Sequence, residues 1–277
     1  MPTTDALLRA AVSGAADDLT LTLDAAFQGL PDTAHGGTLL ALFDALARLP
    51  GPRDVVGHYR RRVPLAVPLK LDVTRSPHAL ACRVLDASAA VLVEGEVQRA
   101  PSAETEGAPP PVDVPLPVSR TCFACGIDNP IGLRARLAFD AHAVGGTWTP
   151  DARFVGADGR LATVALTTLL DEAAFWLGAL ATGESGMTTE LRVTLYDGAA
   201  AGSAVRIGGA RAAVRPRPDD GRYWETRVDA WDERGRLLAR AGITFVTIRG
   251  AARRLVNGLL SINSTDVVRR VFPAYTT

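Results

Sequence analysis

The chain has 277 residues, 47% of them hydrophobic, with 30 basic and 30 acidic side chains and a formal net charge of zero. That length suits two domains of ordinary size, each able to bury a core. A balanced charge lacks the basic excess of a nucleic-acid or membrane-surface partner, so neither is expected. Met1-Pro2-Thr3-Thr4-Asp5 opens no basic segment with an apolar run behind it, and no stretch reaches the roughly 18 apolar residues of a membrane helix, which makes the cytoplasm the default location.

Residues 1 to about 18 read as a short helix, and a strand follows at about 18–26, where Leu19, Leu21 and Leu23 alternate with Thr20, Thr22 and Asp24. The turn Phe27-Gln28-Gly29-Leu30-Pro31 leads to His35-Gly36-Gly37. Beyond it Leu39, Leu40, Leu42, Phe43, Leu46 and Leu49 keep helical spacing around one acid, Asp44, and the paired glycines let the backbone approach a ligand closely. Tyr59-Arg60-Arg61-Arg62-Val63-Pro64-Leu65 comes next, then strand-like runs at about 67–75, 79–86 and 90–98. Six prolines between 100 and 120 exclude helix and central strand and predict an extended, semi-rigid linker. Strands near 133–139 and 144–149 precede a helix over about 161–181, apolar nearly all round except at Asp171 and Glu172, which must be wrapped by other structure. Strands near 187–197, 204–214, 222–232 and 237–248 make a mostly antiparallel sheet. The tail carries a short helix after Ser264-Thr265, expected to cover a domain edge.

One pattern occurs twice. Asp24-Ala25, Phe27 and Gly29 return as Asp151-Ala152, Phe154 and Gly156, and Leu39, Leu42 and Asp44 return as Leu166, Leu169 and Asp171, all 127 residues further on. Asp86 and Val91-Leu92 correspond to Asp232 and Leu237-Leu238 at an offset of 146, so the second copy holds 19 more residues between its helix and its last hairpin. Two copies of one domain in tandem are expected: 1–99 and 121–250, with a linker at 100–120 and a tail at 251–277. In the second copy, Ala162-Thr163-Val164 stand where the first has His35-Gly36-Gly37.

Three cysteines, Cys82, Cys122 and Cys125, make no disulfide framework and fit a reducing compartment. Cys122-Phe123-Ala124-Cys125 resembles half of a zinc site, but no second ligand pair follows at suitable spacing, so no metal is expected. Gly126, Asp128, Asn129 and Pro130 argue for a structural turn over a redox motif, which sits at a helix start.

Phe27-Gln28-Gly29-Leu30-Pro31 with His35-Gly36-Gly37 and Asp44, the Tyr59–Leu65 segment, Cys122-Phe123-Ala124-Cys125-Gly126-Ile127-Asp128-Asn129-Pro130-Ile131-Gly132-Leu133, and Leu169-Leu170-Asp171-Glu172-Ala173 together resemble tandem hotdog proteins of the phenylacetate-type acyl-CoA thioesterase superfamily. The resemblance implies an α+β double hotdog: two units, each a long central helix wrapped by a curved antiparallel sheet, paired with active sites at their interface. It also implies that the loop of one unit meets the acid of the other. One composite site then joins the Gly36 loop to Asp171, with Glu172 beside it and Thr188 placed to hold water; the other joins the Ala162-Thr163 loop to Asp44. Only the first keeps its glycines.

Thioester hydrolysis needs a donor for the oxyanion and a carboxylate that activates water or attacks, and a helix start plus one Asp can supply both. The expected catalytic set is Asp171, the Gly36 N–H helped by Gly37, His35 and Thr188, with Asp44 in the second site and Gln28 matching, by a one-residue shift, the family's polar side chain before the glycines. Arg60, Arg61 and Arg62 either bind the phosphates of coenzyme A, which enters only as part of the substrate, or form a solvated edge strand. A non-catalytic acyl-CoA binding protein on the same scaffold stays open. A hydratase or dehydratase is disfavoured because none of the four histidines has an evident acid partner. The expected partner is a small acyl thioester, and the assembly leaves a homodimer of the fused chain open.

Overall fold

The computed structural model describes every residue except Met1, 16–17, 103–106, Pro110, Ala157, Asp197 and Thr277. Thr3 caps a first helix, α1 (Thr4–Ala10), and the short strands β1 (Val12–Ala15) and β2 (Asp18–Leu21) follow. The helix α2 (Gly36–Ala47) then leads to β3 (Arg53–Tyr59), β4 (Leu69–Arg75), β5 (Ala79–Leu85) and β6 (Val91–Arg99). Val114–Pro115 (β7), Ala138–Phe139 (β8) and Ala143–Trp148 (β9) precede the 20-residue α3 (Thr163–Thr182). Gly186–Leu195 (β10), Val205–Ala210 (β11), Arg215–Pro216 (β12), Tyr223–Trp231 (β13) and Leu237–Thr247 (β14) complete the second half, followed by α4 (Ala252–Leu260) and α5 (Thr265–Arg269).

All described strand pairs are antiparallel, and they form one sheet in the order β1-β2-β4-β5-β6-β3-β10-β14-β13-β11-β9-β8-β7, with β12 on β13. The halves meet where β3 pairs β10, from Glu190↔His58 to Leu195↔Arg53. This is the α+β double hotdog. Each long helix is wrapped by its own part of the sheet, and α2 packs on α3 across the junction. Leu39, Leu40, Leu42 and Phe43 on α2, with Leu166, Leu169, Leu170 and Leu177 on α3, lie in one continuous core. By length and composition α3 could cross a membrane, but most of it is buried inside the fold.

The two recurrent loops fold alike. Asp24 and Asp151 each cap a short 3-10 turn, accepting from Ala26 N–H at 2.7 Å and Arg153 N–H at 2.9 Å, and Phe27 and Phe154 are both buried. His35 N–H donates to Phe27 O, as Ala162 N–H does to Phe154 O.

Three expectations need correction. The strand β3 is missing from the sequence reading, because Pro50, Gly51 and Pro52 before it and Gly57 within it read as turn. It is central, so Arg60–Arg62 leave a central strand and not an edge. The tail holds a second helix, α4, whose Ala252, Val256 and Leu259 are buried, and it walls the main cavity rather than a domain edge. In the Pro-rich stretch, Gly107 N–H bonds Gly235 O and Val114–Pro115 forms the last strand of the sheet, a place where a missing N–H is tolerated. Residues 103–106 and Pro110 of that stretch lie outside the described residues.

Candidate active site

His35 is the N-cap of α2, with extended backbone, and it places Gly36 and Gly37 in the first turn. That turn is pressed against α3. A Cβ on Gly36 would stand 2.7 Å from Asp171 Oδ2, and one on Gly37 would stand 2.5 Å from Thr167 O. The glycines therefore serve the approach of one helix to the other, and through it the approach of a backbone to a carboxylate. Thr167 Oγ1 donates to Gly37 O at 2.7 Å, and Tyr59 OH donates to Gly36 O at 2.7 Å, which pins the turn from both sides.

Asp171 and Glu172 are buried, each only 6% exposed, though they lie on a helix whose surroundings are apolar. An unpartnered buried carboxylate costs several kcal/mol, and each here has partners. Thr188 Oγ1, from β10, donates to Asp171 Oδ1 at 2.9 Å, and Trp176 Nε1 donates to Glu172 Oε1 at 2.8 Å. His35 stands between them, Nδ1 3.3 Å from Asp171 Oδ2 and Nε2 3.9 Å from Glu172 Oε2. This corrects the expectation that no histidine pairs with an acid: the partners are more than 130 residues away in sequence and meet only in space.

Burial alone would lower the pKa of His35, but the Glu172 carboxylate and the charge of Asp171 outweigh it and raise the group to about 9. The Gly37 N–H lies 3.2 Å from both His35 Nδ1 and Asp171 Oδ2. A histidine so raised carries a proton on Nδ1, so we assign the Gly37 donor to Asp171. Burial pushes Asp171 up, against the pull of His35, Thr188 and Gly37. Tyr59 is held well above its usual value by burial, so it remains a neutral donor.

The Cys122–Cys125 turn lies against the same cluster. Cys122 Sγ is 4.0 Å from Glu172 Oε2 and accepts from Ala124 N–H at 3.3 Å. The Cys125 hydrogen bond lowers the Cys122 pKa, while the same bond and burial raise Cys125.

A cavity of about 370 Å³ opens here, in the range of small-ligand sites. Leu30, Leu39, Phe175, Trp176, Leu255 and Leu259 supply apolar wall; Gly36, Tyr59, Asp171, Glu172 and Thr188 supply polar atoms. Gly36 N–H makes no hydrogen bond among the described residues, whereas that of Gly37 is taken, so of the two expected oxyanion donors one is available. Gln28 lines the cavity, with one of its two amide N–H groups donating to Thr121 at 2.6 Å and its oxygen accepting from Asp32 N–H, which leaves one N–H for the expected assisting role. Arg61 and Arg62 line the wall without an ion pair among the described residues. Arg60 is turned away, in an exposed pair with Glu94 at 3.1 Å. Arg120 and Arg254, which sequence reasoning missed, also line the cavity.

Asp44 has a different setting. Arg53 grips it with two hydrogen bonds, one from Nη2 at 2.7 Å, and Thr163 Oγ1 donates to it at 2.8 Å. The space that Gly36 and Gly37 leave beside Asp171 is thus filled beside Asp44 by a hydroxyl and a guanidinium.

No protein-family model matches this chain, and no curated protein is similar enough to match. Solved structures do resemble it. A candidate thioesterase II from Thermobifida fusca YX aligns with a TM-score of 0.61 at 17% identity, over 90% of this chain and 98% of that one. A conserved protein of unknown function with a hot dog fold from Alicyclobacillus acidocaldarius aligns at 0.58 and 15%, over 86% and 96%. The dehydratase GphF Dehydratase 1 aligns at 0.57 and 17%, over 83% and 93%. At these identities the likeness is one of fold, and it is shared with thioesterases: the chain is a double hotdog protein.

Proposed function

We propose that the protein is a thioester hydrolase of the acyl-CoA type with one working site, at Asp171. What carries this reading is the buried Asp171 carboxylate at the cavity wall, oriented by Thr188 Oγ1 and Gly37 N–H, beside an uncommitted Gly36 N–H. The thioester carbonyl oxygen sits at the Gly36 N–H and the apolar wall takes the acyl chain. Asp171 accepts a proton from a water that adds to the carbonyl carbon; the tetrahedral oxyanion is held by Gly36, then collapses and expels the thiolate of coenzyme A, which takes a proton. His35 and Thr188 orient Asp171. Arg61 and Arg62 offer guanidinium groups to the phosphates of coenzyme A. The test is a panel of acyl-CoAs with free-thiol release as readout, using wild type and Asp171→Asn. Release that persists in the variant removes Asp171 from the mechanism. No thiol release and no change in any bound acyl-CoA, unsaturation included, establishes the non-catalytic reading.

One observation favours a second reading. His35 and Asp171 come from different units and form a histidine–carboxylate pair at the cavity, an arrangement in which the carboxylate can take a proton from C2 of a 3-hydroxyacyl thioester while the protonated imidazole gives one to the departing hydroxyl, which leaves as water. A dehydratase shows formation of the α,β-unsaturated thioester without thiol release, so the two activities separate in one assay.

A further inference from the structure

Three side chains from three distant parts of the chain converge beside the cavity. His35 caps α2, Cys122 lies in the turn beyond β7, and Glu172 is in α3, and one ligand atom of each lies within 4.8 Å of the others. His35 Nε2 and Cys122 Sγ are 3.9 Å and 4.0 Å from the same Glu172 oxygen. All three are buried.

Charge points to something more than packing. Asp171, Glu172 and the Cys122 thiol surround one imidazole, and among the described residues no arginine or lysine pairs with either carboxylate. Such a group, taken out of water, is short of positive charge. The outer atoms are already held. Asp171 Oδ2 sits 3.3 Å from His35 Nδ1, Trp176 Nε1 donates to Glu172 Oε1, and Ala124 N–H donates to Cys122 Sγ. A carboxylate on the far nitrogen of a histidine, and donors on the far oxygen and on the sulfur, are how ligands of a metal are oriented. In a tetrahedral zinc site, bonds of about 2.0–2.3 Å set ligand separations of about 3.3–3.8 Å, so the cluster has to draw in by at most about 1.5 Å.

We propose that His35 Nε2, Cys122 Sγ and Glu172 Oε2 bind one zinc ion, whose fourth position faces the cavity. The mixed nitrogen, sulfur and oxygen set suits zinc over magnesium or calcium. The second ligand pair that the Cys122–Cys125 spacing lacks in sequence is supplied in space by His35 and Glu172. The site needs neither Gly36 nor a thioester, so its fate is separate from that of the hydrolase reading.

The full-length chain is stripped with chelator, loaded with zinc, dialysed against metal-free buffer and analysed for metal. One zinc per chain is expected, falling to trace in Cys122→Ser and Glu172→Gln but kept in Cys82→Ser. Cobalt(II) in place of zinc gives a thiolate charge-transfer band in wild type and Cys82→Ser but not in Cys122→Ser. Because the variants can misfold, zinc protection of Cys122 is also read in wild type by alkylation and mass spectrometry, with at least about a tenfold slower reaction when loaded. Folded wild type that retains no zinc, zinc retained by folded Cys122→Ser, or alkylation of Cys122 unaffected by zinc each overturns the site.

Discussion

Two aspartates at matching positions of two helices have opposite settings, and single substitutions separate them. Asp171 faces the cavity through Thr188 and Gly37, so Asp171→Asn is expected to lower kcat/KM for acyl-CoA hydrolysis by on the order of a hundredfold or more, and also to cost some stability because buried His35 loses a charged partner. Asp44 is closed in by Arg53 and Thr163, so Asp44→Asn is expected to leave activity within a few-fold and to cost stability, roughly 1–3 kcal/mol, because a half-buried guanidinium loses its charged partner. Denaturant unfolding and steady-state kinetics on both variants decide this; the reverse pattern means that the acid works within its own unit. At the cavity wall, Arg61→Ala with Arg62→Ala is expected to raise KM for acyl-CoA about tenfold and leave a short pantetheine-type thioester unaffected, as loss of phosphate contacts would. Equal effects on both substrates would show that the arginines do not meet the nucleotide. Asp171 and Gly36 are legible in the sequence as members of a repeat with one unequal loop, and Thr188 through the family resemblance. The role of His35 as a partner of two acids is not, since nothing local in sequence connects 35 with 171 and 172.

At the scale of elements, the meeting of α2 with α3 sets the geometry of the site. A Cβ on Gly37 would stand 2.5 Å from the carbonyl oxygen of Thr167, well inside contact distance, so Gly37→Ala is expected to push the first turn of α2 off α3 and destabilise the protein by about 1–3 kcal/mol, the range for an overpacked contact. Because that turn also holds Asp171, activity is expected to fall together with the thermal midpoint. A variant of unchanged stability and activity would show that the turn adjusts freely. The helices themselves are easy to place: both are long apolar runs after a turn, and α3, apolar all round, has to be enclosed. The strand β3 is hidden because its flanks carry turn signals while its strand character comes from pairing on both sides, with β6 and β10. Tertiary context overrides weak local preference in such a strand.

For the molecule as a whole, the junction is a continuous ladder between β3 and β10, reinforced by α2 against α3. A covalent connection is not what holds the halves together. Limited proteolysis is therefore expected to cut first within 100–113, ahead of β7 and the buried Leu116, and the two fragments are expected to elute as one species in gel filtration without denaturant. Separate elution of folded fragments would mean that the junction is weak on its own. The tail closes the arrangement: Phe272 packs on Trp176 at a ring distance of 6.4 Å, and Leu255 and Leu259 wall the cavity, so residues at the end of the chain belong to the site.

By itself the sequence determined the two long helices, the pair of loops and the tandem repeat, because these rest on periodicity, turn chemistry and a repeated register, all of which are local or linear properties, while the fold class was legible through the family resemblance. It also pointed to the asymmetry between His35-Gly36-Gly37 and Ala162-Thr163-Val164. Only the tertiary structure decided what lies beside each acid: Arg53 and Thr163 at Asp44, but His35, Thr188 and a cavity at Asp171, with Cys122 against Glu172. The reason is that a side chain's partners across a sheet or between helices are set by packing in three dimensions, and spacing along the chain carries no record of them.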